Sequence, residues 1–212
     1  MIDFYSVPTS NGQKIAILLE EMSLEYKLIM IEREKGQLPN KDYLKINPIG
    51  KYPAIIDNFV DNNESKSIII FETQAIALYL TDKTNLLLPK KIDDRNNAHI
   101  WSSAISSGLT PLLGTQYFIQ YRAKKDLSEI HSWILNEIER YLNAFDLRLS
   151  NNRFLAGSDI SYADVLTFPI MNNSLSRIPG CIDKHENIKR WIRMLIDRPA
   201  FKRGIEISSL NN

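Results

Sequence analysis

The chain has 212 residues, 44% hydrophobic and 24% charged, with 26 Lys/Arg against 25 Asp/Glu; this is an ordinary globular composition, long enough to bury a core without staples. A formal net charge of +1 argues against the basic footprint of a nucleic-acid binder, and the single cysteine, Cys181, rules out an intrachain disulfide and points to no oxidising compartment. No apolar run reaches the ~20 residues of a membrane span, no signal-type start is present, and His99, His131 and His185 are too scattered for a zinc site, so a cytoplasmic protein without a metal is expected.

Ile2 to Tyr5 reads as a strand and Asn11 to Met22 as a helix with apolar Ile15, Leu18, Leu19 and Met22. Between them stands PTSNGQ, residues 8 to 13. Thr9, Ser10 and Asn11 are N-cap residue types, whose side-chain oxygens accept from the orphan N–H groups of a first helical turn; the same geometry also makes an anion site. Tyr26 to Ile31 reads as a second strand, completing a right-handed βαβ unit. After a polar stretch, Ala54 to Asp57 and Ser67 to Phe71 form a hairpin joined through DNNESK at residues 61 to 66, followed by a helix from Thr73 to Thr81. The first part is thus a small α/β layer, βαβ, irregular helix, ββα, with helices on both faces.

From residue 83 the strand signals stop. Arg95 to Leu113 and Leu127 to Leu149 carry apolar residues at helical spacing, and Thr110-Pro111 is expected to bend or end the first of them. In DISYADV, Ser161 and Asp164 stand at S-x-x-D, a capping-box variant with Ile160 and Val165 placed as a staple. A last helix runs from Glu186 to Ile196 and stops near Pro199. Residues 1–82 carry a net charge of −4 and residues 83–212 a net +5, which reads as a solvated helix surface in the second half, with a preference for anionic ligands as the sharper alternative.

Two further stretches bear chemistry. In INPIGKYPAIID, residues 46 to 57, Pro53 precedes a strand; local sequence favours a trans proline closing a loop, whereas a cis bond would turn the backbone of Tyr52 toward a peptide-like ligand. In FETQAIALYL, residues 71 to 80, Glu72 or Thr73 either caps the helix, or Glu72 binds an ammonium while Thr73 and the helix N-terminus bind a carboxylate. The second arrangement recognises an α-amino acid end.

PTSNG, NPIGKYP and FETQAI in that order, followed by a helical half with a capping box, resemble the cytosolic glutathione transferase superfamily. SDISYADVLTFP resembles its helix-nucleating box and ENIKRWIRMLIDRPAFKR its C-terminal helix, so the resemblance spans nearly the whole chain. FYSVPTSNGQKIAILLEEMSLEYKL is similar to the bacterial nu class, which carries Thr and Asn in a P-T-x-N-G turn where other classes place a catalytic Tyr, Ser or Cys. The resemblance implies a thioredoxin-like glutathione-binding domain over residues 1–82, a linker over 83–94, and an all-helical domain over 95–212 that holds the electrophile site and the contacts of a homodimer. It assigns Thr9 and Asn11 as donors to the glutathione sulfur, and Gln37, Lys51, Tyr52, Pro53, Glu72 and Thr73 as glutathione-binding positions. Tyr5 stands where other classes keep a catalytic phenol, although a tyrosine at a strand end reads as core.

The chain departs from the class at Ser10, where proline is expected; at Tyr52, which is bulkier than usual; at Thr73, which keeps the hydroxyl of the usual serine; and at Trp133, near which nu members offer an Arg to the partner subunit's ligand. Trp101, Tyr117, Phe118 and Tyr121 are candidate liners for a second substrate. There is no Cys-x-x-Cys, so thiol chemistry requires a borrowed sulfur. The expected activity is glutathione-dependent disulfide reduction, with glutathione transferase activity beside it. The alternatives are a non-enzymatic interaction or regulatory protein on the same fold, and a purely conjugating or isomerising transferase.

Overall fold

The computed structural model describes residues 1–31 and 40–207. It divides into two compact units, Met1–Leu86 joined by the segment from Asp197, and Leu87–Ile196. The first contains β1 (Ile2–Ser6), α1 (Ser10–Glu21), β2 (Tyr26–Met30), α2 (Lys41–Ile46), β3 (Ala54–Asp61), β4 (Glu64–Phe71) and α3 (Thr73–Thr84). The sheet order is β2-β1-β3-β4, with β1 parallel to β2 and β3 antiparallel to both β1 and β4. This is the thioredoxin-like βαβ-α-ββα arrangement. Phe4, Ile15, Ile55, Ile76 and Leu80 are fully buried in it.

The hairpin is longer than the sequence suggests. Its strands pair as far as Asp61↔Glu64, leaving a two-residue turn at Asn62 and Asn63 with φ 49° and 66°. Asparagine tolerates this left-handed backbone, and a turn with both central residues at positive φ matches the twist of its flanking strands.

A final helix, α9 (Pro199–Glu206), packs on α1. Sequence grouped these residues with the helical half, but three features of the contact hold them to the first unit. Gly204 allows close approach, since a Cβ there would lie 2.8 Å from the nitrogen and 2.9 Å from the Cα of Ile17. Arg198 donates two 2.8 Å bonds to the Glu21 carboxylate. Arg203 bonds Glu20 at 2.5 Å.

The second unit contains α4 (Ile92–Ser103), α5 (Thr110–Tyr121), α6 (Ser128–Asn151), α7 (Tyr162–Pro169) and α8 (Glu186–Ile196), and no strand among the described residues. Instead of ending at Thr110-Pro111, the first helix passes through a π-helical segment, Ala104–Leu109, into α5, where Pro111 occupies the first turn. Proline has no N–H to give to the preceding turn, and it stands where the bonding pattern changes from π-helical to α-helical.

The capping box forms as expected. Asp164, fully buried, accepts from Ser161 N and Oγ at 3.0 Å on one oxygen, and from Leu155 N and Trp191 Nε1 at 2.9 Å on the other. Among the described residues no helix is long and apolar enough to cross a membrane.

Candidate functional site

The chain leaves β1 at Ser6 and enters α1 through the turn that holds Thr9. With φ −141° and ψ 161°, Thr9 is the N-cap: its Oγ1 accepts from Gly12 N at 3.2 Å. The hydroxyl proton points to Val7 O at 3.5 Å, the outer limit of a hydrogen bond, so redirecting it costs little. Gly12 is required by space, because a Cβ would collide with Ser6 Oγ and lie 2.7 Å from Val7 O. Beside it, the Oδ1 of Asn11 is buried without a hydrogen-bond partner. Such a group calls for an explanation, and a half-turn of the amide presents its NH2 in the same place. Tyr5, on β1, has its phenol pKa pushed up by burial and then by Asp3, which keeps it protonated.

The loop before β3 is fixed from within. Asn47, 1% exposed, donates to Lys51 O at 2.7 Å and accepts from Ile49 N at 3.0 Å, and the Tyr43 hydroxyl donates to the same Lys51 carbonyl at 2.6 Å. Burial pushes the Tyr43 phenol up, so it remains a donor. Tyr52 stacks on Tyr43 with ring centroids 4.2 Å apart. The Tyr52–Pro53 peptide bond is cis, in place of the trans bond that local sequence favoured.

Glu72 stands at the N-cap of α3 with φ 71° and ψ 122°, and its side chain makes no cap bond. Positive φ in a residue other than glycine costs on the order of 1–3 kcal/mol and persists where surroundings enforce it. Glu72 therefore does not serve the helix as a side-chain cap.

One cavity of about 280 Å³ brings these pieces together: Asn11, Asn47, Lys51, Tyr52, Pro53, Glu72 and Thr73 line it. Six of these were read from sequence. Asn47 was not, although its place in the same NPIGKYP loop was a usable signal. Thr9 is not among the lining residues, and Gln37 lies outside the described residues. The cavity joins a cation, an anion, two amides and a helix N-terminus, a set suited to a small zwitterionic peptide. A second cavity of about 310 Å³, in the other unit, is lined by Lys90, Lys91, Asp94 and Asp159 among others and contains none of the residues read as a site.

In the second unit, Trp101 packs on Phe145 at 4.8 Å and reads as core. Tyr117 meets Tyr121 at 4.9 Å, with the guanidinium groups of Arg122 and Arg177 at 5.5 and 5.3 Å from its ring; Phe118 and Tyr121 are exposed. Cys181 donates to Leu175 O at 3.2 Å, and burial, followed by Asp183, pushes its thiol up to about 11. Among the described residues no group of three His, Cys, Asp or Glu could hold a metal.

Residues 2–82 match the family model for the glutathione S-transferase N-terminal domain and residues 117–199 that for the C-terminal domain. The chain is 33% identical over 201 residues to the disulfide-bond oxidoreductase YfcG of Escherichia coli (strain K12), covering 94% of this chain and 92% of the relative. Among solved structures, a glutathione transferase from Burkholderia graminis with two glutathione molecules bound per subunit superposes with TM-score 0.88 at 30% identity, covering 97% of this chain and 87% of that one. Another from Pseudomonas putida, with one glutathione disulfide bound per subunit, gives TM-score 0.89 at 25% identity over 97% and 91% of the two chains.

Proposed function

The chain belongs to the glutathione S-transferase family, and from that premise we propose that it reduces disulfide bonds with glutathione bound in the cavity of its first unit. The observation that carries this reading is the state of the protein's own sulfur: its one cysteine lies in the other unit, with a thiol held near 11. A thiol so far above neutral pH is almost never the thiolate that does exchange chemistry, so the reacting sulfur must be borrowed.

Glu72 is assigned to the glutathione ammonium, Thr73 and the N-terminus of α3 to the adjoining carboxylate, Tyr52 and Pro53 to the peptide backbone, and Lys51 to a second carboxylate, with Gln37 beside it by family position. Asn11 and Thr9 donate to the sulfur. Lowering a thiol near pKa 8.5 by about two units costs about 2.7 kcal/mol; one hydrogen bond to a charged group contributes about 1.5–3 kcal/mol and a helix N-terminus about 0.3–1. These donors suffice.

The lower pKa multiplies thiolate by roughly 25-fold at pH 7 but cuts its nucleophilicity by roughly eightfold, while making the same sulfur a better leaving group from a mixed disulfide. That balance favours thiol–disulfide exchange over conjugation. The bound thiolate attacks one sulfur of the substrate and expels the other as a thiolate; a second glutathione then attacks the glutathione sulfur of the mixed disulfide, forming glutathione disulfide and expelling the second substrate thiol. The net reaction consumes two glutathione molecules and yields two substrate thiols and one glutathione disulfide. On family grounds we assign a homodimer and, by order along the chain, the limits 1–82, 83–94 and 95–212, the last including α9 although it packs on α1 of the first unit.

Calorimetric titration with reduced and oxidised glutathione, followed by a disulfide-reduction assay, tests the reading on wild type and Thr9→Ala/Asn11→Ala. Binding with turnover that the double variant loses is expected. Turnover no faster than glutathione alone would refute it.

A further inference from the structure

Lys14, on the helix that this turn opens, is a buried charged residue without an assigned use. It lies on α1, three residues after Asn11 and four after Ser10, and in a helix a side chain leans toward the N-terminus over those two positions. Only 1% of its surface is exposed, and its side chain has no ion-pair or hydrogen-bond partner among the described residues. The charged groups on the elements packed against α1 are engaged or exposed. Glu20 and Glu21, nearly two turns farther along α1, pair with Arg203 and Arg198, Lys202 pairs with Asp197, and Lys83 pairs with Asp57, while Asp82 and Glu206 are exposed. Helix geometry sets the Lys14 side chain on the N-terminal side of its own turn, over Asn11 and Ser10, and no carboxylate pairs with it among the described residues. Burial brings its pKa down to about 7.

We propose that Lys14 is the proton counterpart of the glutathione sulfur: when the bound thiol ionises against Thr9 and Asn11, the Lys14 amine becomes ammonium and balances the new charge. The S–H bond breaks, an N–H bond forms, and the pair changes from neutral to zwitterionic with no net charge introduced at the turn. Lys14 acts through the field it sets at the turn and is a positioning residue, distinct from the donors that touch sulfur. The two groups then titrate as a coupled pair. Glutathione raises the amine's pKa, and the ammonium lowers that of the thiol.

The assignment rests on the glutathione site proposed above, and proton counting separates the two. Calorimetric titrations at pH 8 in buffers of different ionisation enthalpy give the protons released per glutathione bound. About three-quarters of free glutathione carries its thiol proton at that pH, so ionisation without a counterpart releases roughly 0.7 proton. Wild type is expected to release roughly 0.3, because coupling of about one unit raises the Lys14 amine from about 7 to about 8 and leaves it about half protonated, whereas Lys14→Arg, charged throughout, releases roughly 0.7. The apparent pKa of the bound thiol, read from thiolate absorbance, should rise by roughly one unit in Lys14→Met and stay low in Lys14→Arg.

On wild type alone, NMR titration of the Lys14 side chain should give a pKa that rises with glutathione but not with S-methylglutathione, which has no ionisable thiol. Full proton release by wild type, or equal Lys14 titration with both ligands, would overturn this assignment and leave the site reading intact. Failure of wild type to bind glutathione would remove both.

Discussion

Thr9 and Asn11 are assigned to one sulfur but serve the fold unequally. The Thr9 hydroxyl caps α1 through Gly12 N, so Thr9→Ala should cost about 1 kcal/mol of stability, whereas Asn11→Ala removes a buried oxygen that has no partner and should cost little or nothing. Urea unfolding of the two single variants is expected to separate them, while both weaken activation of the thiol. Lys14 gives a second residue-level prediction. Its amine loses its proton near 7 in the folded chain and near the ordinary 10.5 when unfolded. Between those values the unfolded state binds more protons, so stability rises with pH, by up to about 1.4 kcal/mol per unit. Lys14→Met should lack this term, gaining most over wild type below pH 7 and losing the advantage toward pH 10. The sequence made Thr9 and Asn11 visible because cap chemistry is local. It hid Lys14 because the apolar spacing of Ile15, Leu18 and Leu19 marks one face of α1, whereas Gly12 through Leu19 are all buried, and burial on every side is a tertiary property.

Elements came out of the sequence where a local pattern decided them and were misjudged where a distant contact did. Strand alternation, the S-x-x-D box at Ser161 and the stop before Pro199 were readable. The full reach of the β3–β4 hairpin was not, because polar Asn58, Ser65 and Lys66 look like loop until two asparagines take left-handed conformations between them. Nor was the attachment of α9, which depends on Gly204 meeting the backbone of Ile17. Gly204→Ala should push the two helices apart at a cost of about 1–3 kcal/mol, and amide exchange should show α9 losing protection before the rest of the unit. At the capping box, Asp164→Ala leaves Leu155 N, Ser161 N and Trp191 Nε1 without their buried acceptor. At about 1–3 kcal/mol for each unsatisfied group, a loss of at least about 3 kcal/mol is expected in denaturant unfolding.

At the scale of the whole chain, one cysteine in 212 residues separates sulfur chemistry from the protein's own covalent structure. Cys181→Ser should leave glutathione-dependent disulfide reduction unchanged, and in wild type the Cys181 thiol should react slowly with alkylating reagents at pH 7; both are read by activity and by mass. Trp133 and Ile130 lie exposed on α6, and sedimentation of wild type against Trp133→Glu tests the homodimer assigned above. The lone Cys181 has a further implication for how such a catalyst would behave in a fluctuating cell. A reductase that cycles through its own dithiol has a midpoint potential and is left idle whenever it is caught oxidised. This chain has no dithiol to be caught, so it stores no electrons between turnovers and needs no recharging enzyme. The direction of its exchange would follow the surrounding ratio of reduced to oxidised glutathione, making it a passive conductor between that pool and its disulfide substrates.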